Sequence, residues 1–243
     1  MTPYILITGQ PLSGKTTLAN NLLAALQQDG RKAAMLPVRA FFRVLAASIA
    51  QDKAFPDDSR LQRLADKTPF VSRPHAFAEV EMRGDLRLLM NRLGSEAVVK
   101  TVLGQKVSTF LEQNSAGQDV YLLESGETSY FHVLPSPVLG ITLNAHDWQR
   151  AEQLASRYES NGQSFRFQAA QREIARRNNR PNQPCRTLAS EFGKISEFRI
   201  NNLAMPPDTL CQNALSACRM ALDNPPRYPE PDFSKMSMPS GLG

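Results

Sequence analysis

The chain has few of the residues that build disulfide frameworks or zinc sites, and it has no long apolar run. Its three cysteines, Cys185, Cys211 and Cys218, are an odd number without CxxC spacing, and its three histidines lie far apart in sequence. Neither a disulfide framework nor a zinc site is indicated. No stretch approaches the roughly 18 apolar residues of a membrane span, and no basic leader precedes the first apolar segment. We therefore expect a soluble, cytoplasmic protein without a membrane partner.

Size and charge set the next limits. The 243 residues, 42% of them hydrophobic, are enough for one substantial core with insertions. The net charge of +5 is unevenly distributed: residues 150–180, here called the arginine-rich segment, contain seven arginines and three glutamates, and seven minus three is +4. Such a concentration of positive charge favours a polyanionic partner, either nucleotide phosphates or a nucleic-acid backbone.

The strongest motif is GQPLSGKT, residues 9–16, which fits the phosphate-binding pattern G-x-x-x-x-G-K-[ST]. It follows an apolar run at residues 4–7 and precedes a helical stripe of leucines. A loop in this position directs backbone N–H groups inward, and the helix N-terminus behind it adds partial positive charge. An ordinary Gly-Ser turn with a surface lysine is the alternative. The predicted nucleotide-binding residues are Gly9, Gln10, Pro11, Leu12, Ser13, Gly14, Lys15, Thr16 and Thr17.

The motif also predicts catalytic and metal-binding roles. Lys15 would reach the β- and γ-phosphates of ATP, and the hydroxyl of Thr16 would help to bind Mg²⁺. Glu124 closes an apolar strand, so it should emerge beside the loop at the carboxyl edge of a parallel sheet. There it would order Mg²⁺ or accept a proton, with Glu127 as the second candidate. The alternative is that these acids merely end a strand.

Four arginines are candidates for binding an acceptor. Arg39 and Arg43 follow the second predicted strand, and their four-residue spacing places them on one helical face. Arg87 and Arg92 lie on a later helical stretch, where many arginines are simply solvated. All four would hold phosphate groups of an acceptor nucleotide.

The arginine-rich segment has two interpretations. In small kinases a basic lid at this position closes over the transferring phosphoryl group and excludes water. Arg172, Arg176 and Arg180 recur every four residues and so share a helical face, with Arg176 the predicted catalytic member. The competing interpretation is a surface that binds a nucleic-acid strand or duplex.

Alternating strand and helix patterns predict an α/β fold of the P-loop NTPase type, a parallel sheet flanked by helices. Strands are expected at residues 4–7, 33–38, 119–124, 138–143 and 197–201. The kinase domain would span 1–222, with a helical acceptor-side lobe at 51–115, whose polar part at 51–73 is expected to lie exposed over the sheet, and a basic lid at 146–185. Five prolines among residues 223–243 indicate an extended or disordered tail.

The chain has no NKxD guanine-binding sequence and no ABC signature, so a small phosphotransferase fits best.

Several segments resemble the bacteriophage deoxynucleoside monophosphate kinases and their relatives. They are the first strand with its loop, residues 36–42, residues 89–96, and residues 199–202 before the last helix. The resemblance implies that the loop binds ATP, that central helices bind the acceptor nucleotide, and that a basic lid closes over both. It assigns Lys15 and Thr16 to the donor, and Arg39, Arg87 and Arg92 to the acceptor.

The middle of the chain departs from that family. Those kinases tend to have Asp-x-Arg after the third strand, whereas this chain has ESGET at residues 124–128, and Pro135 and Pro137 interrupt the following helix. Related phage enzymes phosphorylate the hydroxymethyl group of 5-hydroxymethyluracil in DNA, which requires a basic track and an accessible base. The pI near 9.3 and the arginine-rich segment favour that acceptor over a free deoxynucleoside monophosphate. The non-kinase alternative is a nucleic-acid-stimulated NTPase or a nucleotide-switched binding module.

Overall fold

The computed structural model describes residues 1–50, 54–70, 84–114, 117–125, 134–160, 166–178, 188, 192, 195–202 and 205–225. Within its helices, the side chains of residues 84–88, 91, 157, 160 and 177 lie outside this description. The described strands are β1 (Tyr4–Gly9), β2 (Ala33–Met35), β3 (Val120–Glu124), β4 (Leu139–Ala145) and β5 (Glu197–Asn202). The helices are α1 (Lys15–Gln28), α2 (Val38–Ile49), α3 (Asp58–Lys67), α4 (Gly84–Ser95), α5 (Ala97–Gln113), α6 (Asp147–Ser160), α7 (Phe167–Asn178) and α8 (Pro207–Asp223).

The described strands form one parallel sheet in the order β2-β3-β1-β4-β5. This confirms the predicted α/β class. β1 lies at the centre, where the strand order reverses, and crevices at such reversals are where open α/β sheets bind ligands. The register places Glu124 opposite Ile7, and Gly9 opposite Leu143. All five strands end at the same edge, so the loop after β1 and the end of β3 are neighbours.

Helices cover both faces of the sheet because its strands bury side chains on both sides. Tyr4 and Leu6 of β1 face a cluster that includes α2, α3 and α5, with Leu188 packed on the same side. Ile5 and Ile7 face the opposite cluster, built mainly with α1 and α8. None of the helices within the described ranges is long and apolar enough to cross a membrane.

Two cysteines belong to the α8 side of the core. Cys211 and Cys218 are both buried thiols, seven residues apart on one helix. Burial raises the pKa of Cys218 to about 12, so its thiol stays protonated and unreactive at neutral pH. Their role is packing, as their spacing predicts.

One strand boundary differs from the sequence-based prediction. β2 ends at Met35 rather than residue 38, because Pro37 has no N–H for the ladder and instead precedes the first turn of α2. Later in the chain, Glu96 is extended and separates α4 from α5.

The segment around α3 was predicted to be an exposed lobe over the sheet, and its described part contains a helix that buries one face. Asp57 caps α3 by accepting a hydrogen bond from the Arg60 N–H at 2.8 Å. Leu61 and Ala65 are fully buried in the cluster below the sheet. α3 is therefore part of the helical layer on that face. The boundaries proposed for the lobe, the lid and the tail stay predictions, and residues 226–243 lie outside the described chain.

Gly9 is the position at which the fold tolerates a side chain least. Its φ is +140°, and an added Cβ would lie 2.1 Å from the carbonyl oxygen of Leu143 on the neighbouring strand. Gly30, after α1, also has a positive φ of +80°, but nothing lies within 4 Å of an added Cβ there. An alanine at position 9 would therefore meet both a steric clash and backbone strain, whereas an alanine at position 30 would meet backbone strain alone.

Gly9→Ala is expected to lower the free energy of unfolding by more than about 4 kcal/mol, because β1 and β4 would have to separate. Gly30→Ala serves as the matched control and should cost only about 1 kcal/mol of backbone strain. Urea denaturation followed by circular dichroism measures both. Equal losses for the two variants would contradict the close approach of Gly9 to β4.

Candidate functional site

The GQPLSGKT motif forms the turn between the central strand and the first helix. β1 ends at Gly9 and α1 begins at Lys15, and within the turn the Ser13 N–H donates to the Gln10 carbonyl at 3.2 Å. Gly9, Leu12 and Gly14 have positive φ values of 140°, 65° and 94°. Gly14 occupies the N-cap of α1 without a side-chain hydrogen bond, so no capping side chain covers the helix N-terminus.

Lys15 folds back onto the loop. Its side chain is buried, and Nζ donates to the carbonyl oxygen of Gln10 at 2.7 Å. The ammonium group therefore lies against the turn whose amides would surround a phosphate. A neutral acceptor satisfies it only weakly compared with an anion, so a phosphate oxygen would be the stronger partner.

Glu124 lies beside Thr16, as the sheet register requires. The Thr16 hydroxyl donates to one carboxylate oxygen of Glu124 at 3.0 Å, and Nη1 of Arg39 lies 3.6 Å from the other. The Ser125 N–H donates to the carbonyl oxygen of Ile7 at 2.9 Å, which holds the end of β3 against β1. Three elements, α1, β3 and α2, thus bring a hydroxyl, a carboxylate and a guanidinium together.

Arg43 adds a second positive charge to this group. Burial lowers the pKa of the Arg43 guanidinium most, the like charge of Arg39 lowers it further, and Glu124 raises it. The arginine stays protonated at neutral pH because its ordinary pKa is far above 7. Two guanidinium groups near one carboxylate leave a net positive charge, which favours an anionic ligand at this edge of the sheet.

The other predicted acceptor residues are not brought into this group by the described contacts. Arg92 stacks over the Phe55 ring at 3.5 Å from its centroid and pairs with Glu96 at 3.7 Å. Arg87 belongs to α4, but its side chain lies outside the described residues, and so does the whole of Glu127. Their assigned roles stay predictions.

Arg176 lies on the exposed surface of α7. It forms two hydrogen bonds with Glu173, at 2.8 and 3.1 Å, and this carboxylate raises its pKa further above neutrality. Arg172 is also exposed on α7, whereas Arg180 lies outside the described chain. The shared helical face is therefore present for two of the three predicted arginines, and its contact with a ligand stays a prediction.

Arg150 is a correction to the interpretation of the arginine-rich segment. From sequence, Arg150 is one of the charges expected to be available to a polyanion, but its side chain is fully buried. Its Nε donates to the Pro11 carbonyl at 2.8 Å, and Nη1 donates to Asp147 and Asn178 at 2.9 and 2.8 Å. The i,i+3 spacing from Asp147 was the only local signal of this pairing, and such spacing is common on exposed helices. Arg150 supports the loop from within and is not part of a basic surface.

The donors near the loop are suited to a hard divalent cation. Mg²⁺ prefers oxygen ligands, usually one or two protein oxygens together with phosphate oxygens and water. The hydroxyl of Thr16 and the carboxylate of Glu124 supply such oxygens 3.0 Å apart. The chemistry of this donor pair therefore fits Mg²⁺ bound together with a nucleotide.

Leu12 is the one non-glycine residue with a positive φ among the described residues, and its side chain packs against the small core between α6 and α7. Leu12→Gly and Leu12→Ala both lose this packing, but only alanine keeps the conformational cost. The glycine variant should therefore be more stable by about 1 kcal/mol. At the exposed helical position Gln153, the same pair of substitutions should give the opposite order. Chemical denaturation compares the four variants, and an alanine variant at least as stable as glycine at position 12 would contradict the left-handed conformation.

Two of the solved structures that resemble this chain share little of its sequence. Neither a family model nor a curated protein sequence matches the chain. An unliganded sugar kinase from Janibacter sp. is 15% identical, covering 93% of this chain and 100% of its own, with a TM-score of 0.42. A protein from Thermus thermophilus is 20% identical, covering 90% and 97%, with a TM-score of 0.45.

Proposed function

We propose that this protein is an ATP-dependent kinase that transfers the γ-phosphate to a nucleotide-type acceptor. The observation that carries the proposal is the contact between Thr16, directly after the loop lysine, and Glu124 at the end of the adjacent strand. A loop of backbone amides, a lysine, a hydroxyl and a carboxylate are the parts that phosphoryl transfer from ATP requires. Positive charge from Arg39 and Arg43 beside them supports a second anionic ligand.

Each residue of the site has a role in the proposed reaction. Lys15 leaves the Gln10 carbonyl and contacts the β- and γ-phosphates, while the loop amides and the N-terminus of α1 hold the remaining charge. Mg²⁺, with Thr16 and Glu124 as its protein ligands, would neutralise charge on the same phosphates. Arg39 and Arg43 orient the acceptor. Its oxygen attacks the γ-phosphorus, the bond from that phosphorus to the β–γ bridging oxygen breaks, and ADP leaves with the electron pair.

A hydroxymethyl acceptor also loses a proton. Glu124 would accept this proton if it holds Mg²⁺ through water and not directly, and Glu127 remains the second candidate from sequence. Because the transition state is loose, the proton acceptor does not need a raised pKa.

The acceptor proposed first is the hydroxymethyl group of 5-hydroxymethyluracil in DNA, and the alternative is a free deoxynucleoside monophosphate. Net charge +5 and exposed arginines at 166 and 172 on or beside α7 support a polyanionic acceptor. The burial of Arg150 and the pairing of Arg176 with Glu173 reduce the positive surface available. This weakens the case for DNA relative to the sequence alone, so both acceptors belong in one assay.

Lys15→Ala should abolish phosphate transfer, by at least ~100-fold, because it removes the ammonium that contacts the transferring phosphate. Lys106→Ala is the matched control, since that lysine lies on α5 and binds the Asp66 carbonyl at 2.9 Å. The assay uses γ-phosphate-labelled ATP and follows the label, with circular dichroism confirming that both variants fold. Full activity of Lys15→Ala would refute the donor site. Label found only as free phosphate would favour the NTPase alternative.

The acceptor is identified by adding deoxynucleoside monophosphates, plain DNA and 5-hydroxymethyluracil DNA to this assay. If DNA is the acceptor, its KM should rise steeply, by roughly 10³-fold or more, between about 50 and 200 mM salt when six or more phosphates are contacted. A labelled deoxynucleoside monophosphate and a shallow salt response would instead support the alternative.

The same assay tests the acceptor arginines. Arg39→Met should raise the KM of whichever acceptor is labelled by about tenfold or more, since it removes a charge-assisted hydrogen bond. Arg31→Met, at the far end of α1 and paired with Asp223, is the control. An unchanged acceptor KM for Arg39→Met would contradict its assignment.

A further inference from the structure

Arg150 joins the phosphate loop to two helices through hydrogen bonds. Besides its bonds to Pro11, Asp147 and Asn178, the Asn178 amide donates to the second carboxylate oxygen of Asp147 at 2.7 Å. Asp147 begins α6 and Asn178 ends α7. Asp147 and Asn178 therefore fix the orientation of the guanidinium group that donates to the Pro11 carbonyl.

Burying this charge is costly, which makes its geometry informative. The guanidinium is fully buried whereas its carboxylate partner Asp147 is 60% exposed, so the desolvation cost of Arg150 offsets much of the attraction within the pair. Such a group is better explained by the orientation it imposes. Arg150 orients the carbonyl group of Pro11, which belongs to the phosphate loop.

The Pro11 carbonyl determines the direction of the next amide. A trans peptide is planar, so its C=O and N–H point in opposite directions. With the Pro11 oxygen drawn to Arg150, the Leu12 N–H points to the side of the loop away from α6. Pro11 has no N–H of its own, so the Leu12 N–H is the first amide donor after Gln10 in the turn.

The adjacent residue is held by the same pair of helices. The Leu12 side chain packs against the buried cluster of α6 and α7, namely Ala151, Leu154, Ala155, Ala170 and Ile174. This contact offsets the cost of its left-handed conformation, φ 65°. Two consecutive loop residues are therefore fixed to α6 and α7, one by its carbonyl and one by its side chain.

We propose that Arg150 is a positioning residue that turns the Leu12 amide toward the phosphate chain of the bound nucleotide, and that it does so from a helix pair attached to the loop. The inference rests on the proposed function, because it assigns Arg150 to the nucleotide site. It also means that α6 and α7 are attached to the phosphate loop.

The test measures the dissociation constant of ADP with Mg²⁺ for the intact protein, Arg150→Met, Asn178→Ala and Arg219→Met. Arg219 is the matched control: it makes two hydrogen bonds to Asp29 at 2.8 and 2.7 Å, at the end of α1 far from the loop. Thermal unfolding of each variant is recorded, and binding is measured where all are folded. If the intact protein does not bind ADP, the proposed function itself is wrong. A change in ADP affinity between the intact protein and its variants tests the role of Arg150.

Arg150→Met should weaken ADP binding by about tenfold or more, as expected for loss of one well-oriented donor to a phosphate. The acceptor KM should stay within about twofold, since no acceptor contact is removed. Arg219→Met should bind ADP normally. Arg150→Met that is folded and binds ADP within about twofold of the intact protein would overturn the proposal, because a purely structural arginine lowers stability without changing affinity.

Asn178→Ala covers the case in which Arg150→Met does not fold. This variant keeps the bond from Arg150 to Pro11 but removes one of the partners that fix the guanidinium. Binding weaker by roughly threefold or more is expected, because the Leu12 amide is then held less firmly. Unchanged ADP affinity in a folded Asn178→Ala would equally overturn the positioning role.

Discussion

The main chain between the central strand and the first helix is the constraint on which the site depends. Gly9 approaches the Leu143 carbonyl so closely that a single added carbon would separate two strands, and positive φ values recur at Leu12 and Gly14. That path brings the start of α1 to the centre of the sheet edge. The parallel register then places Glu124 within hydrogen-bonding distance of Thr16. The path of the backbone therefore determines which side chains meet at this edge of the sheet.

Two cations hold consecutive carbonyls of the turn. Lys15 binds the Gln10 oxygen and Arg150 binds the Pro11 oxygen, the first from α1 and the second from α6. The two differ in what they can do next. Lys15 carries a compact ammonium group on a four-carbon chain beside the loop, whereas the planar guanidinium of Arg150 is fully buried and fixed by Asp147 and Asn178. One cation is therefore suited to binding a ligand and the other to shaping its site.

Much of this was predictable from sequence because the relevant patterns are local. The glycine-framed motif, the apolar strands and the acid at the end of β3 each occupy a short stretch, and the parallel-sheet rule brings their ends together. Arg150 was not predictable, since counting charges along a helix does not reveal which of them faces inward. β2 was predicted too long because Val38 continues the apolar pattern while Pro37 ends the ladder. Arg92 was assigned from its position on a helix, and its stacking on Phe55, 37 positions earlier, has no local signal.

We expect the loop to bind the phosphate chain of a nucleotide, with the base contributing less to affinity. Isothermal titration calorimetry of the intact protein with ATP and with adenosine, both in Mg²⁺, measures the two contributions. ATP should bind at least ~100-fold more tightly than adenosine, equivalent to about 2.7 kcal/mol from the phosphates. Equal affinities, or no heat of binding with any nucleoside triphosphate, would contradict it.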